Sequence, residues 1–295
     1  MTDNLKFPIG ISFSPFGQSY ARYGENVFAT IKSHDYDAVD INIANTDNQW
    51  YTFNDAELSA AMEAFSEQAR SAEITISQIH GPWRYPPQDA TEENRHERLT
   101  KMKKSAKIAA LLGCKYLVIH PIMPFGTKDV LLGKETETVA LNHAFFRQLV
   151  PYAKEVGVTI CLENMPMVNF SLATPEQILE FVKEFDDENL KVCLDTGHVA
   201  VFPQLSIGDE VRRLGDALKV LHIHDNLGDR DAHLYPGRGI THWPSFFEAL
   251  EQIQFPGFCS LETAPASTLN DNDFVQESIA LNRMFRSLMK QNIKP

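Results

Sequence analysis

Eight short β-rich runs recur along the chain, and a stretch able to form a helix separates each run from the next. The runs are PIGISFS (8–14), AVDINIA (38–44), TISQIHG (75–81), YLVIHP (116–121), TICLENMP (159–166), KVCLDTGHV (191–199), LKVLHIHDN (218–226) and FCSLET (258–263). Short apolar strands that alternate with helices are typical of βαβ units and a parallel sheet. The pattern therefore predicts an α/β fold, a single (β/α)8 TIM barrel.

The chain of 295 residues contains no Gly/Ser-rich or low-complexity linker, so a single domain over residues 1–295 is the simplest organisation. A TIM barrel typically takes about 250 residues. The competing architecture is a doubly wound open sheet, which normally carries a glycine-rich phosphate loop after its first strand. The segment SFSPFGQSYARYG does not match that fingerprint.

Helix signals fall between the β-rich runs. In residues 55–72, Leu58, Met62, Phe65 and Ala69 form one apolar stripe, which predicts an amphipathic helix. Thr174 before Pro175 is a helix start signal. Gly113 and Gly157 stand where the helices before the fourth and fifth strands should end.

Composition limits the partners and the compartment. The formal net charge is −12, and such an acidic surface makes nucleic acid an unfavoured partner. No run approaches the roughly 18 apolar residues of a membrane helix, and the N-terminal MTDNLKFPIG lacks the apolar core of a secretory signal. None of the four cysteines forms a CxxC pair, so they are expected to be small buried side chains. We expect a cytoplasmic protein without a membrane partner.

Side chains of metal-ligand type stand at the ends of six consecutive strands, where a TIM barrel builds its active site. They are His80, His120, Glu163, Asp195, His224 and Glu262. A single histidine or acid at a strand end is more often a hydrogen-bonded structural residue or a helix cap. Six together are different, because crowded carboxylates resist burial unless a cation offsets their charge. Imidazole nitrogen with carboxylate oxygen favours Zn²⁺ or Mn²⁺.

A second set of candidate ligands follows the sixth and seventh strands. His198 comes three residues after Asp195, and Asp231 and His233 lie two apart in the loop after the seventh strand. The turn PGRG (236–239) has glycines that let the backbone approach a site closely. Within the seventh strand, residues two apart share a face. If Glu163 and Asp195 point into the barrel mouth, His222 lies one layer below His224, which makes His224 the better ligand.

The segments QIHGPW, VIHP, CLEN, VCLDTGH, HIHDN, DAHLYPGRG and SLET together resemble the xylose isomerase-like TIM-barrel superfamily. That superfamily includes sugar and sugar-phosphate isomerases and epimerases, and the endonuclease IV family of apurinic-site nucleases. Matched by motif, it implies one to three divalent ions and three ligand sets. The first set is Glu163, Asp195, His224 and Glu262; the second is His80 and His120 sharing Glu163; the third is His198, Asp231 and His233.

The resemblance implies isomerisation or epimerisation of a sugar or sugar phosphate, as part of carbohydrate metabolism. A divalent ion would bind a carbonyl and its neighbouring hydroxyl and stabilise an enediolate. Glu163 and Glu262 would exchange the proton as general base and acid. Trp83 and Tyr85 are candidates for an apolar wall over the sugar, and Arg230 for a substrate contact. Related barrels are often dimers or tetramers, so a homo-oligomer is compatible with the family.

The alternative is an endonuclease IV-like trinuclear metallohydrolase that cleaves a phosphodiester or phosphate ester, since all nine ligand types are present. Two segments favour the isomerase instead. The nuclease glutamate strand typically continues ENTAG where this chain has ENMPMVN, and its seventh strand usually reads HLND where this chain has HDNLGD. A non-catalytic sugar-binding barrel, and lyase or dehydratase chemistry on the same scaffold, are the remaining hypotheses.

Overall fold

A computed structural model describes residues 6–18 and 26–293. Within these residues eight parallel strands lie at the positions of the eight β-rich runs. They are β1 (Ile9–Ser12), β2 (Ala38–Asn42), β3 (Thr75–His80), β4 (Tyr116–Ile119), β5 (Thr159–Glu163), β6 (Leu190–Asp195), β7 (Leu218–His222) and β8 (Cys259–Leu261). Residues 1–5, 19–25 and 294–295 of the predicted domain 1–295 lie outside the described part.

The strands pair in the order β7-β6-β5-β4-β3-β2-β1-β8. The two outer strands of this order also meet, because the amide of Ile223 donates to Ser260 O (2.8 Å) and the amide of Glu262 donates to Ile223 O (3.0 Å). The sheet therefore curls into a barrel, which confirms the predicted (β/α)8 fold. We call these two hydrogen bonds, with the residues that make them, the β7–β8 seam.

Helices connect the strands and cover the outside of the barrel. Among the described residues they are α1 (Ser14–Gln18), α2 (Val27–Ser33), α3 (Asp55–Ser71), α4 (Glu92–Leu111), α5 (Glu135–Glu155), α6 (Pro175–Phe185), α7 (Thr196–Ala200), α8 (Ile207–Leu214), α9 (Trp243–Gln252) and α10 (Asp271–Asn292). Short 3₁₀ turns lie at Gln49–Tyr51, Gly126–Leu132 and Gly215–Ala217. In the described chain, no helix combines the length and apolar character needed to cross a bilayer.

The helix signals in the sequence are confirmed. Helix α3 buries Leu58, Met62 and Ala69, with Phe65 half-buried beside them. Thr174 caps α6, and its hydroxyl accepts from the amide of Gln177. Gly113 and Gly157 follow α4 and α5 with φ of 70° and 78°, a left-handed conformation that glycine adopts without strain.

A layer of small side chains fills the barrel interior below the strand ends. Val118, Cys161, Cys193 and Val220 pack together there, with Tyr116 against them. All four cysteines are buried and free, as the sequence predicted. Because side chains two residues apart share a face of a strand, the residues above this layer are His120, Glu163, Asp195 and His222.

The sixth strand ends at Asp195, where the sequence analysis placed its last residue, although the β-rich run continues to residue 199. The run 191–199 stops as a strand at Asp195, and α7 begins at Thr196. The reason is a helix cap, since one oxygen of Asp195 accepts from the amide of His198 at 2.7 Å. The second carboxylate oxygen of Asp195 remains directed at His224, 3.0 Å away.

The buried carboxylate of Asp225 organises the loop after β7. Its two oxygens accept from the amides of Asn226, Gly237 and Thr241 and from the indole N–H of Trp243, at 3.0 to 3.1 Å. The loop is tightly folded around it, since a Cβ on Gly239 would lie 2.1 Å from a backbone oxygen. Gly239 of the PGRG turn thus packs closely against the loop itself, and an approach of this turn to a bound ligand stays a prediction.

We predict that Asp225→Asn lowers the free energy of unfolding by about 2–3 kcal/mol, because an amide NH₂ would face two donors in a buried position. Urea denaturation measures the change. The matched control is Asp229→Asn in the same loop, where the side chain is exposed. Equal stability of the two variants would show that the Asp225 network does not hold the loop.

Candidate metal centre

The strand ends bring the predicted metal ligands together at one end of the barrel. His80, Glu163 and Asp195 are the last residues of β3, β5 and β6, and His120, His224 and Glu262 follow β4, β7 and β8 within two residues. These residues are buried, except that Glu262 keeps 18% of its side chain exposed. Two groups of donor atoms that share Glu163 lie at the strand ends, and a third group lies beside them on α7 and the loop after β7.

The first group is His80, His120 and Glu163. Oε2 of Glu163 lies 3.0 Å from Nε2 of His120 and 3.4 Å from Nε2 of His80, and the two Nε2 atoms are 3.1 Å apart. Nδ1 of His80 lies 2.8 Å from the carbonyl oxygen of Gly81, so this nitrogen carries the proton and Nε2 presents its lone pair. Three donor atoms thus converge on one point.

The second group is Glu163, Asp195, His222 and Glu262, whose donor atoms lie within 4.8 Å of one another. Nδ1 of His222 is 2.8 Å from Glu163 and 3.4 Å from Glu262. The other ring nitrogen lies 2.9 Å from Oδ2 of Asp40, a buried carboxylate on β2. A carboxylate behind the second nitrogen is the usual way in which proteins orient a metal-binding histidine.

This arrangement differs from the parity argument, which preferred His224 to His222. The β6–β7 pairing sets Asp195 opposite His222, while the β5–β6 pairing sets Glu163 opposite Cys193. Strands in a barrel are staggered, and the stagger raises His222 into the layer of Glu163. His224 lies instead beside Asp195, with its ring stacked on His233 at a centroid distance of 4.1 Å.

The third group comes from α7 and the loop after β7. Nε2 of His198 and Nε2 of His233 lie 3.3 and 3.2 Å from the same oxygen of Asp231. The Nδ1 atoms of these histidines donate to the carbonyl oxygens of Asn164 and Glu262, at 2.7 and 2.8 Å. Both rings are therefore turned with Nε2 toward Asp231, as ligation of one ion requires.

His233 is held in an uncommon backbone conformation. Its φ is 46°, in the left-handed region that non-glycine residues seldom occupy. The hydroxyl of Thr263 donates to His233 O at 2.8 Å and helps to fix this conformation. Backbone strain of this kind is concentrated at functional sites.

The electrostatics of the cluster fit a divalent cation. Three carboxylates, Glu163, Asp195 and Glu262, crowd within 4.8 Å of one another in a largely buried site, where they repel. Burial, with the charges of Glu163 and Asp195, raises the pKa of Glu262 to about 7. Burial acts the same way on Glu163, but His222 and His120 outweigh it and hold its pKa well below the usual value. Imidazole and carboxylate donors together suit Zn²⁺ or Mn²⁺.

A cleft of about 730 Å³ opens above the cluster, with His120, His198 and Asp231 in its lining. The three residues that the sequence analysis named for substrate contact, Trp83, Tyr85 and Arg230, all line the same cleft. The Trp83 ring meets the His120 ring edge to face, with centroids 4.5 Å apart. The contacts of these residues with a substrate stay a prediction.

The buried ion pair of Arg98 and Asp89 holds Trp83 and His120 in place, because the Arg98 guanidinium lies over the Trp83 ring, 6.0 Å from its centroid, and also contacts His120. Nη1 of Arg98 lies 2.6 Å from Asp89, and Nη2 donates to His120 O at 2.9 Å. The same oxygen of Asp89 accepts from the amide of Met123 at 2.8 Å. The sequence analysis placed His222 below the site, and it missed Asp40, Asp89 and Arg98, which act inside the barrel or between loops and have no motif of their own.

We predict that Asp40→Asn weakens the affinity for Zn²⁺ or Mn²⁺ by roughly 10- to 100-fold, because the carboxylate that orients His222 is lost. Competition with a fluorescent chelator measures the affinity. Asp47→Asn, an exposed acid in the loop that follows β2, is the matched control. An unchanged affinity in a folded Asp40→Asn protein would contradict the prediction that Asp40 orients His222 for metal binding.

Comparison with known proteins finds sugar epimerases and isomerases. The chain is 28% identical over 192 residues to an uncharacterised protein of Methanocaldococcus jannaschii, covering 62% of this chain and 63% of the relative. It is 34% identical to D-psicose 3-epimerase of Ruminiclostridium cellulolyticum over 39% of this chain and 38% of the enzyme. It is 26% identical to inosose isomerase of Bacillus subtilis over 58% of this chain and 62% of the enzyme. The chain thus spans less than two thirds of the length of these relatives.

Solved structures share the fold over nearly the whole chain. A D-tagatose 3-epimerase-like protein superposes with a TM-score of 0.75 at 22% identity, over 96% of this chain and 97% of that one. The IolI protein, solved with a bound zinc atom, superposes with a TM-score of 0.69 at 18% identity, over 98% of this chain and 100% of that one. The family model described as xylose isomerase-like TIM barrel matches residues 28–286. This chain therefore belongs to the xylose isomerase-like TIM-barrel family.

Proposed function

We propose that this protein is a metal-dependent isomerase or epimerase of a small sugar or sugar phosphate. The observation that carries the proposal is the pair Glu163 and Glu262, which lie 2.8 and 3.4 Å from the same nitrogen of His222 and have pKa shifts in opposite directions. Two carboxyl groups whose environments separate their pKa values form an acid–base pair. The sugar epimerases and isomerases among the relatives support the same chemistry.

Glu163, Asp195, His222 and Glu262 are the residues proposed to hold the ion, with His224 near enough to Asp195 to replace or assist His222. When bound there, a divalent cation would act as a Lewis acid on a substrate carbonyl. Glu163 and Glu262 would then have two roles, as ligands of the ion and as proton-transfer groups.

The proton transfer is assigned to the two glutamates. Glu163, the more acidic of the pair, takes the proton from the carbon between carbonyl and hydroxyl, and the electron pair moves to the carbonyl oxygen. Glu262 returns a proton to the other face of the same carbon, which inverts it, or to the adjacent carbon, which isomerises the sugar. Exchange with solvent then restores both carboxyl groups. The two carboxyl groups belong to one donor group whose atoms lie within 4.8 Å of one another, so they border the same part of the proposed substrate site.

The cleft residues are proposed to position the sugar over this pair. The Trp83 ring, fixed against His120, offers an apolar face for the C–H side of a sugar. Arg230 is exposed at the cleft and presents N–H donors toward substrate hydroxyls or a phosphate. Tyr85 completes the outer wall of the same cleft.

We predict that Glu163→Gln and Glu262→Gln each lower kcat for ketose epimerisation by about 10²- to 10⁴-fold, since each removes one proton-transfer group. Proton NMR in D₂O measures epimerisation together with exchange of the substrate C–H. Glu248→Gln, a glutamate on the exposed face of α9, is the control. Full activity in both site variants would contradict the acid–base assignment.

A second candidate function is a trinuclear phosphoesterase, which the two additional donor groups favour. His80 with His120, and His198 with Asp231 and His233, are more than an isomerase with one ion requires. In a trinuclear hydrolase such groups hold ions that activate water and neutralise a phosphate.

Metal content and substrate scope separate the two candidates. We predict about one tightly bound divalent ion per chain by elemental analysis after dialysis, and turnover of ketoses without cleavage of an abasic-site duplex. Three retained ions, together with cleavage of that duplex or of bis(p-nitrophenyl) phosphate, would favour the hydrolase. His233→Ala serves as an internal check, because it should abolish hydrolase activity and leave a one-ion isomerase largely active.

A further inference from the structure

The residues that line the cleft above the metal cluster are of two chemical kinds. Ionic and imidazole groups come from His120, His198 and the loop 228–231. The apolar residues, which we call the apolar side, are Trp83, Tyr85, Met165, Pro166, Met167, Val168 and Val201.

The apolar side extends outward into solvent. Tyr85 and Val168 are 73% and 61% exposed, although they line a cleft that leads to buried charged groups. The amide of Val130 donates to Asn169 O, so the exposed Val130–Leu132 segment continues this side of the rim. All of the large exposed apolar side chains of the described residues lie in loops at this end of the barrel: Tyr85, Val130, Leu131, Leu132, Val168, Leu227 and Ile240. Exposed apolar surface concentrated around one site marks a place where a ligand or partner binds.

A free sugar does not account for this wall. Sugar hydroxyls gain nothing from Met167, Val168 or the outer face of Tyr85, because those side chains offer no hydrogen bonds that would replace water. The Trp83 ring suffices for one sugar ring at the cluster. The cleft of about 730 Å³ falls among pockets that hold drug-sized ligands, roughly 300 to 1,000 Å³, and leaves space beyond that ring.

We propose that the substrate is an α-hydroxy ketone sugar that carries an apolar aryl or alkyl substituent, with the substituent bound between Tyr85 and the Met167–Val168 segment. The inference rests on the proposed function, since it assigns the ketone end of the molecule to the metal cluster. Two methionines, Met165 and Met167, lie on this wall. Their flexible thioethers adapt to groups of different shape, which suits a range of substituents.

The test compares two keto-hexopyranosides that differ only in a methyl or a phenyl group on the anomeric oxygen. Exchange of the C–H next to the ketone is followed by NMR in D₂O with the metal-loaded protein. We expect kcat/KM to be about 30-fold higher for the phenyl compound, the scale on which apolar pockets discriminate. Val168→Asp should reduce this ratio to about threefold, by placing a charge against the phenyl ring.

Leu131→Asp is the matched control, since it places the same charge at an equally exposed apolar position outside the cleft lining. It should leave the ratio unchanged. A ratio near one in the parent protein, or an equal loss in both variants, would overturn the inference.

A binding measurement keeps the inference separate from the proposed reaction. Calorimetry with the unoxidised methyl and phenyl glucosides should give tighter binding of the phenyl compound, and Val168→Asp should remove the difference. That preference without C–H exchange on any ketone would uphold the apolar subsite and refute the isomerase. If Val168→Asp instead dissociates a dimer in sedimentation and leaves both preferences unchanged, the wall is a contact between two copies and the inference fails.

Discussion

Three carboxylates that would repel one another are held together at the C-terminal end of the barrel, and the arrangement of the site depends on balancing their charge. Glu163, Asp195 and Glu262 come from three strands whose backbone positions are fixed by the sheet. They cannot separate without breaking strand pairing. Imidazole rings surround them instead, and a divalent cation offsets them more fully than histidine can.

The surrounding structure fixes the direction of four imidazole rings. His80, His198 and His233 turn Nδ1 to a backbone carbonyl, whereas His222 turns the opposite nitrogen to Asp40. Each of these four rings therefore directs its other nitrogen at a carboxylate. The loops are fixed by separate buried acids, Asp225 after β7 and Asp89 after β3. The geometry of these side chains and loops is thus determined by networks one step away from the donor atoms.

Much of this site could be predicted from sequence because a barrel converts strand order into position. The residue that ends a β-rich run lies on the active-site rim wherever the run occurs, so His80, His120, Glu163, Asp195 and Glu262 could be placed without coordinates. The choice between His222 and His224 could not be made from the sequence, because it depends on the stagger between neighbouring strands. Asp40 could not be predicted for a related reason. Strand β2 ends at Asn42, so Asp40 lies one layer below the rim, and a carboxylate there belongs to no ligand motif. One sequence feature could have placed His222 correctly. Val220, two residues before it, belongs to the apolar layer, so His222 lies directly above that layer.

The position of the cluster relative to the β7–β8 seam has a consequence for how the protein folds. His222 directly precedes the seam residue Ile223, and Glu262 is itself a seam residue. The two are separated by 40 residues of sequence, and His80 lies 182 residues before Glu262. No half-barrel intermediate can assemble the full donor set, since the last ligand arrives with the last strand. An ion shared by His222 and Glu262 would join the two strands where the ladder is shortest. Metal binding at this cluster would therefore be linked to completion of the whole chain's topology, and the folded, closed barrel would be the species that gains free energy from the ion.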